Sequence, residues 1–366
     1  MKSLNKEIDK QILVDAREFT PRKLTGIGRV IEGLIDALAE RDTVKIILAV
    51  FDPEAVPSRL KNRQGIKIKM VPASFLKSER ALSVLTKGEI SLFLSPYPKL
   101  PLFGTHCLTI NMVHDVLDLT HPAYRKRIKA FFDSYRLKRA LQKSDLTWYV
   151  SNWSLEETKK YAGFTGKNPR VRYNGIDEKF KPNRGENDFR ILEKYRIKPD
   201  YILVLGNGLP HKNLGVLLEI THELNRQIVS AGVSKKNQAY WKSRYPGEKV
   251  VWISHIEDQD LPSIIRGAFC LAQPSIIEGY GYPPLEAMAC GVPTVVSDIP
   301  VLKETTGDCA LTADPMKPWS WLAAINSLEN QDLYQLQKKK ALDWTESLRG
   351  KSAWAKHISD IKEMIG

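Results

Sequence analysis

The chain has 366 residues, 43% hydrophobic and 27% charged, with 55 Lys plus Arg against 42 Asp plus Glu and a formal net charge of +13. That length exceeds one ordinary hydrophobic core and calls for about two domains. The four cysteines show no paired Cys-x-x-Cys spacing, no run of eighteen apolar residues occurs, and the start MKSLNKEIDKQ has no apolar segment, so the reading is a reduced, cytoplasmic chain without zinc or a membrane span. A basic chain invites nucleic acid, but zinc-finger spacing, ribonucleoprotein aromatics and repeats are all missing, and that partner is set aside.

In chain order, the first strand is predicted over Ile12–Phe19, and Thr25–Leu38 opens with Gly26 and Gly28 and continues as a helix. A loop of this kind can bring backbone N–H groups toward a phosphate, and it can equally be an ordinary tight turn. Strands are predicted at Val44–Phe51, at Cys107–Asp115, which ends in His114, and at Leu146–Ser151. Between the last two lies a basic run, His121–Lys143, in which Arg125, Lys126, Arg127, Lys129, Arg136, Lys138 and Arg139 are interleaved with Ile128, Phe131, Phe132 and Tyr135 at helical spacing. Two readings stand: an amphipathic helix that docks on anionic lipid, or a solvated helix whose apolar stripe is core. Residues 1–180 hold 32 basic against 20 acidic side chains and residues 181–366 hold 23 against 22, so the excess charge belongs to the first half.

The polar stretch Lys181–Phe189 has the composition of a linker, and a second β–α series follows it, beginning with the strand Tyr201–Asn207 and the turn Asn207–Asn213. Short β-rich runs alternating with helical patterns predict α/β domains with parallel sheets. The most informative stretch is PSIIEGYGYPPLEAMACGVPTVVSDIP, Pro274–Pro300, preceded by the strand Ala268–Gln273. Gly279 and Gly281 flank Tyr280 and let the backbone approach a ligand. Pro283 and Pro284 suit the first turn of a helix, read here as Leu285–Cys290, and a helix start favours an anion. Glu278 is placed to accept hydrogen bonds from sugar hydroxyls or to lie against an anomeric carbon as positive charge develops. Glu286, taken as part of the first helical turn, is placed for ribose hydroxyls, or merely complements the helix dipole.

The two glutamates with seven residues between them resemble the signature of family-4 retaining glycosyltransferases, and so in order do TGIGRVIEGLIDAL, VHDVLDLTHP, YVSNWSLEETKKY, RYNGID and the continuation Met288–Pro315. The resemblance covers nearly the whole chain and points to the bacterial branch that builds surface polysaccharides. It implies the GT-B fold, two Rossmann-like domains facing each other across a cleft, here 1–180 on the acceptor side and 181–350 for the nucleotide sugar. The last helix, 351–366, returns to the first domain. It also implies roles: Lys212 on the donor diphosphate, Gly28 near it, His114 against the transferred sugar, and Ser151, Asn174 and Gly175 near the crevice. The family's usual arginine beside that lysine is missing, and His211 or Asn207 stands in its region.

The activity expected on this basis is retaining transfer of a hexose, first guess mannose from GDP-mannose, to a lipid-linked glycan, with no metal, on the inner face of the cytoplasmic membrane and beside other polysaccharide-assembly enzymes. Glu278→Ala is expected to lower turnover and Glu286→Ala to weaken nucleotide binding. A nucleotide-sugar epimerase of similar fold and a non-catalytic subunit of an assembly complex are the alternatives.

Overall fold

A computed structural model describes residues 10–21, 25–40, 44–120, 127–183 and 185–366, and of residues 127 and 128 only the backbone. The chain divides into two compact units, one running to Gly175 and including Gly350–Gly366, the other Ile176–Arg349.

The first unit is built on seven strands, β1 Gln11–Asp15, β2 Lys45–Val50, β3 Ile66–Met70, β4 Ile90–Ser95, β5 Leu108–Val113, β6 Leu146–Tyr149 and β7 Pro169–Val171, in the order β3-β2-β1-β4-β5-β6-β7. The second has six, β8 Tyr201–Leu205, β9 Ile228–Ala231, β10 Val250–Ile253, β11 Ala268–Gln273, β12 Thr294–Ser297 and β13 Leu311–Ala313, in the order β10-β9-β8-β11-β12-β13. The ladders are parallel throughout. Central strands such as β1, β4 and β11 are buried almost without break because helices cover both faces of a parallel sheet. The edge strand β3 alternates instead, with Lys67 and Lys69 exposed, which discourages pairing with another chain. The helix Gly26–Ala39 buries Val30, Ile31, Leu34, Ile35 and Leu38, the repeat of three and four that turns one face to a core. The α/β reading of the alternating pattern is borne out.

Each sheet has one place where successive strands stop adding on one side and restart on the other, between β1 and β4 and between β8 and β11. Loops leaving the carboxyl ends of such neighbours diverge and open a crevice. These are the positions at which ligand-binding groups are sought below.

The terminal segment of the first unit consists of a short 3-10 turn, Lys351–Trp354, and the helix Ala355–Ile365. Trp354 presses on two glycines: a Cβ at Gly33 would lie 2.9 Å from its ring and one at Gly175 2.6 Å. Asp360 accepts from Trp148 Nε1 at 2.8 Å and pairs with Arg170 and Arg172 at 2.5 and 2.7 Å. His357 is buried between the rings of Trp148 and Trp354, 4.8 and 5.0 Å away, and neither ring nitrogen has a hydrogen-bond partner among the described residues. Burial, with the nearby Arg172 charge, pushes its pKa down to about 3. The unfolded chain therefore takes up this proton first, and stability contributed by neutral His357 is lost as pH falls from about 6.5 toward 3. Between pH 8 and pH 5 the loss is about 2 kcal/mol. Thermal unfolding of a His357→Leu variant is expected to show a flatter acid side by that amount, and an unchanged pH slope would remove the assignment.

Candidate active site

In the second unit the loop after β8 runs from Gly206 through a 3-10 turn, Pro210–Lys212, to Asn213 in the left-handed region. It is held from below. Asn237 Nδ2 donates to the Asn207 carbonyl at 2.8 Å, Trp241 Nε1 to the Gly208 carbonyl at 2.9 Å, and the Asn207 side chain accepts from Leu209 N at 3.1 Å. Gly208 has φ +69° and a Cβ there would meet Val233 at 2.7 Å, so this turn requires glycine. The loop after β11 is tied to the first, Ile276 N donating to the His211 carbonyl at 2.8 Å.

That tie brings Lys212 to Glu278 across the crevice, Nζ to Oε1 at 2.5 Å. The same oxygen accepts from Gln273 Nε2 and from Ser275 Oγ, each at 2.7 Å. Glu278 is only 9% exposed. Burial alone would raise its pKa, but the Lys212 charge and the hydrogen bonds from Lys212, Ser275 and Gln273 hold it below the ordinary glutamate value. The carboxylate is thus ionised at neutral pH, unfit to donate a proton, with Oε1 committed to three donors. A narrow recess opens beside it, lined among others by Gly206, Gly208, Lys212, Ser230 and Gln273. Ser230 Oγ and Gln273 Oε1 are buried without hydrogen-bond partners among the described residues.

The helix after this loop is Tyr282–Ala289, three residues earlier than its expected start, with Gly281 as its N-cap at φ 94°. A Cβ at Gly281 would lie 2.6 Å from Leu302. The early start corrects two expectations. Pro283 and Pro284 fall in the first turn, as read, but they remove two of the four amides a helix start offers, leaving Gly281 and Tyr282 to supply them. Glu286 is not in the first turn: it is the fifth helical residue, one turn below Tyr282 on the same face, and 3% exposed. Tyr280 is buried, its ring 5.3 Å from that of Tyr282, and Gly279 precedes it without a positive φ. His211 is half-buried and contributes its backbone carbonyl to the loop tie.

In the first unit the expected loop behaves differently from the reading. Thr25 caps the helix Gly26–Ala39 by accepting from Gly28 N at 3.0 Å, so the Gly28 amide is spent inside the fold rather than offered to a phosphate. His114, at the end of β5, shares a 3.0 Å hydrogen bond between Nε2 and the Pro96 carbonyl. A carbonyl only accepts, so Nε2 carries the proton and Nδ1 is the basic nitrogen. Burial pushes the His114 pKa down to about 4, which keeps the ring neutral. Asp115 caps the turn that follows, accepting from Leu117 N at 3.0 Å.

The basic helix, Arg127–Lys143, also differs from expectation. Its buried stripe is Ala130, Leu137, Ala140 and Leu141, whereas Phe131, Phe132 and Tyr135 are 75%, 52% and 57% exposed. Arg136 turns inward to Glu79 at 3.0 Å and Arg139 donates to the carbonyls of Leu100 and Leu102, so neither is presented to a surface. Lys129 is paired with Asp118 and Asp133, and Lys138 is exposed. Arg125, Lys126 and the side chain of Arg127 lie outside the described residues. No described helix is long and apolar enough to cross a membrane.

Two family descriptions match the chain, Glycosyltransferase Family 4 over residues 24–180 and Glycosyl transferases group 1 over residues 187–347. The chain carries these two glycosyltransferase domains one after the other. Similar proteins include an O-antigen chain mannosyltransferase B of Escherichia coli, 28% identical over 56% of this chain and 57% of that protein, so the match spans little more than half of the relative. The O-antigen chain mannosyltransferase RfbU of Salmonella typhimurium is 27% identical over 68% of each. Among solved structures, a sucrose-phosphate synthase from Thermosynechococcus elongatus superposes with a TM-score of 0.78 over 97% of this chain and 98% of that one, at 15% identity. The Anabaena protein HepE, solved with UDP-glucose, gives 0.77 over 96% and 99%, also at 15% identity. These likenesses establish the GT-B fold, and both matched domains are glycosyltransferase domains. Gln273 and Ser275 carry no motif of their own in the sequence, although Ser275 stands in the quoted stretch and Gln273 just before it: a polar residue closing an otherwise apolar strand is the available signal.

Proposed function

We propose that this glycosyltransferase is a retaining hexosyltransferase that moves mannose from GDP-mannose to a lipid-linked surface-polysaccharide acceptor. The observation that carries the reading is the Lys212–Glu278 contact, which sets a cation for a leaving diphosphate beside an ionised carboxylate for the sugar, at the sheet's switch point. The mannosyltransferase names of the relatives support the choice of sugar. In the proposed front-face step the bond from C1 to the phosphate oxygen breaks while C1 bonds to the acceptor oxygen on the same face, and the acceptor's proton passes to the departing diphosphate. Lys212 neutralises charge gathering on that diphosphate. Glu278, held ionised, accepts from sugar hydroxyls and stabilises the positive anomeric centre, and Glu286 accepts from the ribose.

Membrane docking is part of the same reading. The exposed Phe131, Phe132 and Tyr135 with Lys138 suit an interfacial contact better than the arginines did, because aromatic side chains favour the headgroup boundary and the lysine answers anionic lipid. One assay tests the whole: a panel of GDP-, UDP- and dTDP-sugars with a prenyl diphosphate-linked sugar as acceptor, in detergent and in anionic vesicles. Transfer from GDP-mannose, faster on vesicles, is the expected result. Interconversion of nucleotide sugars without an acceptor would make it an epimerase, and inertness toward every donor would favour a non-catalytic subunit.

A further inference from the structure

At the switch point of the first sheet, the loops after β1 and β4 carry a network of charges that the donor chemistry does not use. Arg17 clasps Asp15 through both carboxylate oxygens at 2.7 Å and reaches Glu79 Oε1 at 3.1 Å. Glu79 Oε2 takes Arg136 and the amide of Leu102, each at 3.0 Å. Glu18 accepts from Thr25 Oγ1 at 2.6 Å and from the Tyr97 hydroxyl at 3.0 Å, one on each oxygen. All six carboxylate oxygens are therefore answered. Lys99 is the exception. Its ammonium sits 4.0 Å from the centre of the Tyr97 ring, half-buried, and makes no ion pair among the described residues.

An ammonium drawn out of water without an acceptor is a standing cost, relieved when an anion arrives. Burial accordingly holds the Lys99 pKa below the ordinary lysine value, with Arg136 and Arg17 pushing the same way against Asp15 and Glu79. The ring fixes where the ammonium is, and the loop that carries it also supplies the Pro96 carbonyl that orients His114. Residues 1–180 hold nearly all the chain's excess positive charge, which draws anions to this half.

We propose that Lys99, seated on Tyr97, is a binding site for the phosphate or diphosphate of the acceptor. A lysine serves a tetrahedral phosphate as a compact point charge with three diverging donors, where a planar carboxylate would suit arginine better. The identity of the anion's carrier rests on the proposed acceptor, since a nucleoside diphosphate offers the same chemistry. The experiment separates the two.

Isothermal titration of the full chain, as wild type, Lys99→Gln and Lys99→Arg, uses farnesyl diphosphate, farnesol and GDP as probes. The expected result is at least a tenfold loss of farnesyl diphosphate affinity in Lys99→Gln, most of it recovered in Lys99→Arg, with farnesol and GDP changed by less than twofold. Unchanged farnesyl diphosphate affinity in Lys99→Gln overturns the site. So does an equal loss for farnesol, which would mark a structural effect, and a loss falling on GDP would give the lysine to the donor. The titration reads binding alone, so failure of the transfer assay with intact farnesyl diphosphate binding would sink the proposed activity and leave this site standing.

Discussion

Lys212→Met is expected to lower kcat by about 10²–10³-fold, the usual loss when one fixed donor to a developing anion is removed. Methionine keeps the length and apolar stem of lysine, so the loop after β8, held by Asn237 and Trp241, stays in place. Donor KM is expected to change far less, because charge on the diphosphate grows as the glycosidic bond breaks. A second effect follows from the contact itself. Without Lys212 the buried Glu278 carboxylate retains only neutral donors, and an uncompensated buried charge costs on the order of 3 kcal/mol. The double variant Lys212→Met with Glu278→Gln should therefore regain most of the lost thermal stability and none of the lost activity. Recovery of activity with stability would mean that Lys212 acts only through the fold.

Glu278→Gln is expected to reduce kcat by about 10²-fold or more with donor KM within a few-fold, since the amide keeps the shape but neither carries the charge that answers an oxocarbenium-like centre nor matches three donors on one oxygen. The sign of the pH dependence follows from the lowered Glu278 pKa: activity requires the ionised form, so the acid limb from this group lies below the ordinary glutamate value. Gln273→Leu removes one of its donors and should move that limb upward while Lys212 remains. Rate profiles of kcat against pH for the wild type and Gln273→Leu decide the matter. A limb that stays put would mean that Gln273 does not hold the carboxylate.

Features encoded within one local segment were readable from sequence, whereas those that depend on which segments become neighbours were not. The strand, glycine turn and proline-led helix around Glu278 announce themselves because each residue type constrains its own backbone. The helix starts three residues before the position its sequence suggests because Tyr282 carries no start signal and the left-handed Gly281 occupies the N-cap. The Lys212–Glu278 pair joins residues 66 positions apart and exists only because β8 and β11 are adjacent at the switch point. The basic helix shows the same limit. Charges all around it left its faces undecided, and Ala130, Leu137 and Leu141 rather than the aromatics face the core because Glu79 and the loop after β4 draw Arg136 and Arg139 inward. Lys99 gave no signal at all, since an isolated lysine in a proline-rich loop acquires meaning only once its neighbours' carboxylates are seen to be occupied.

The most direct test of the account is proton NMR of the purified chain turning over GDP-mannose with a prenyl diphosphate-linked acceptor, following the anomeric proton of the first product. An α-linked mannosyl product from the α-configured donor, formed by the wild type and lost in Glu278→Gln, is the predicted result. An inverted β-linked product, or transfer undiminished in Glu278→Gln, would contradict the front-face mechanism and the role given to the Lys212–Glu278 pair.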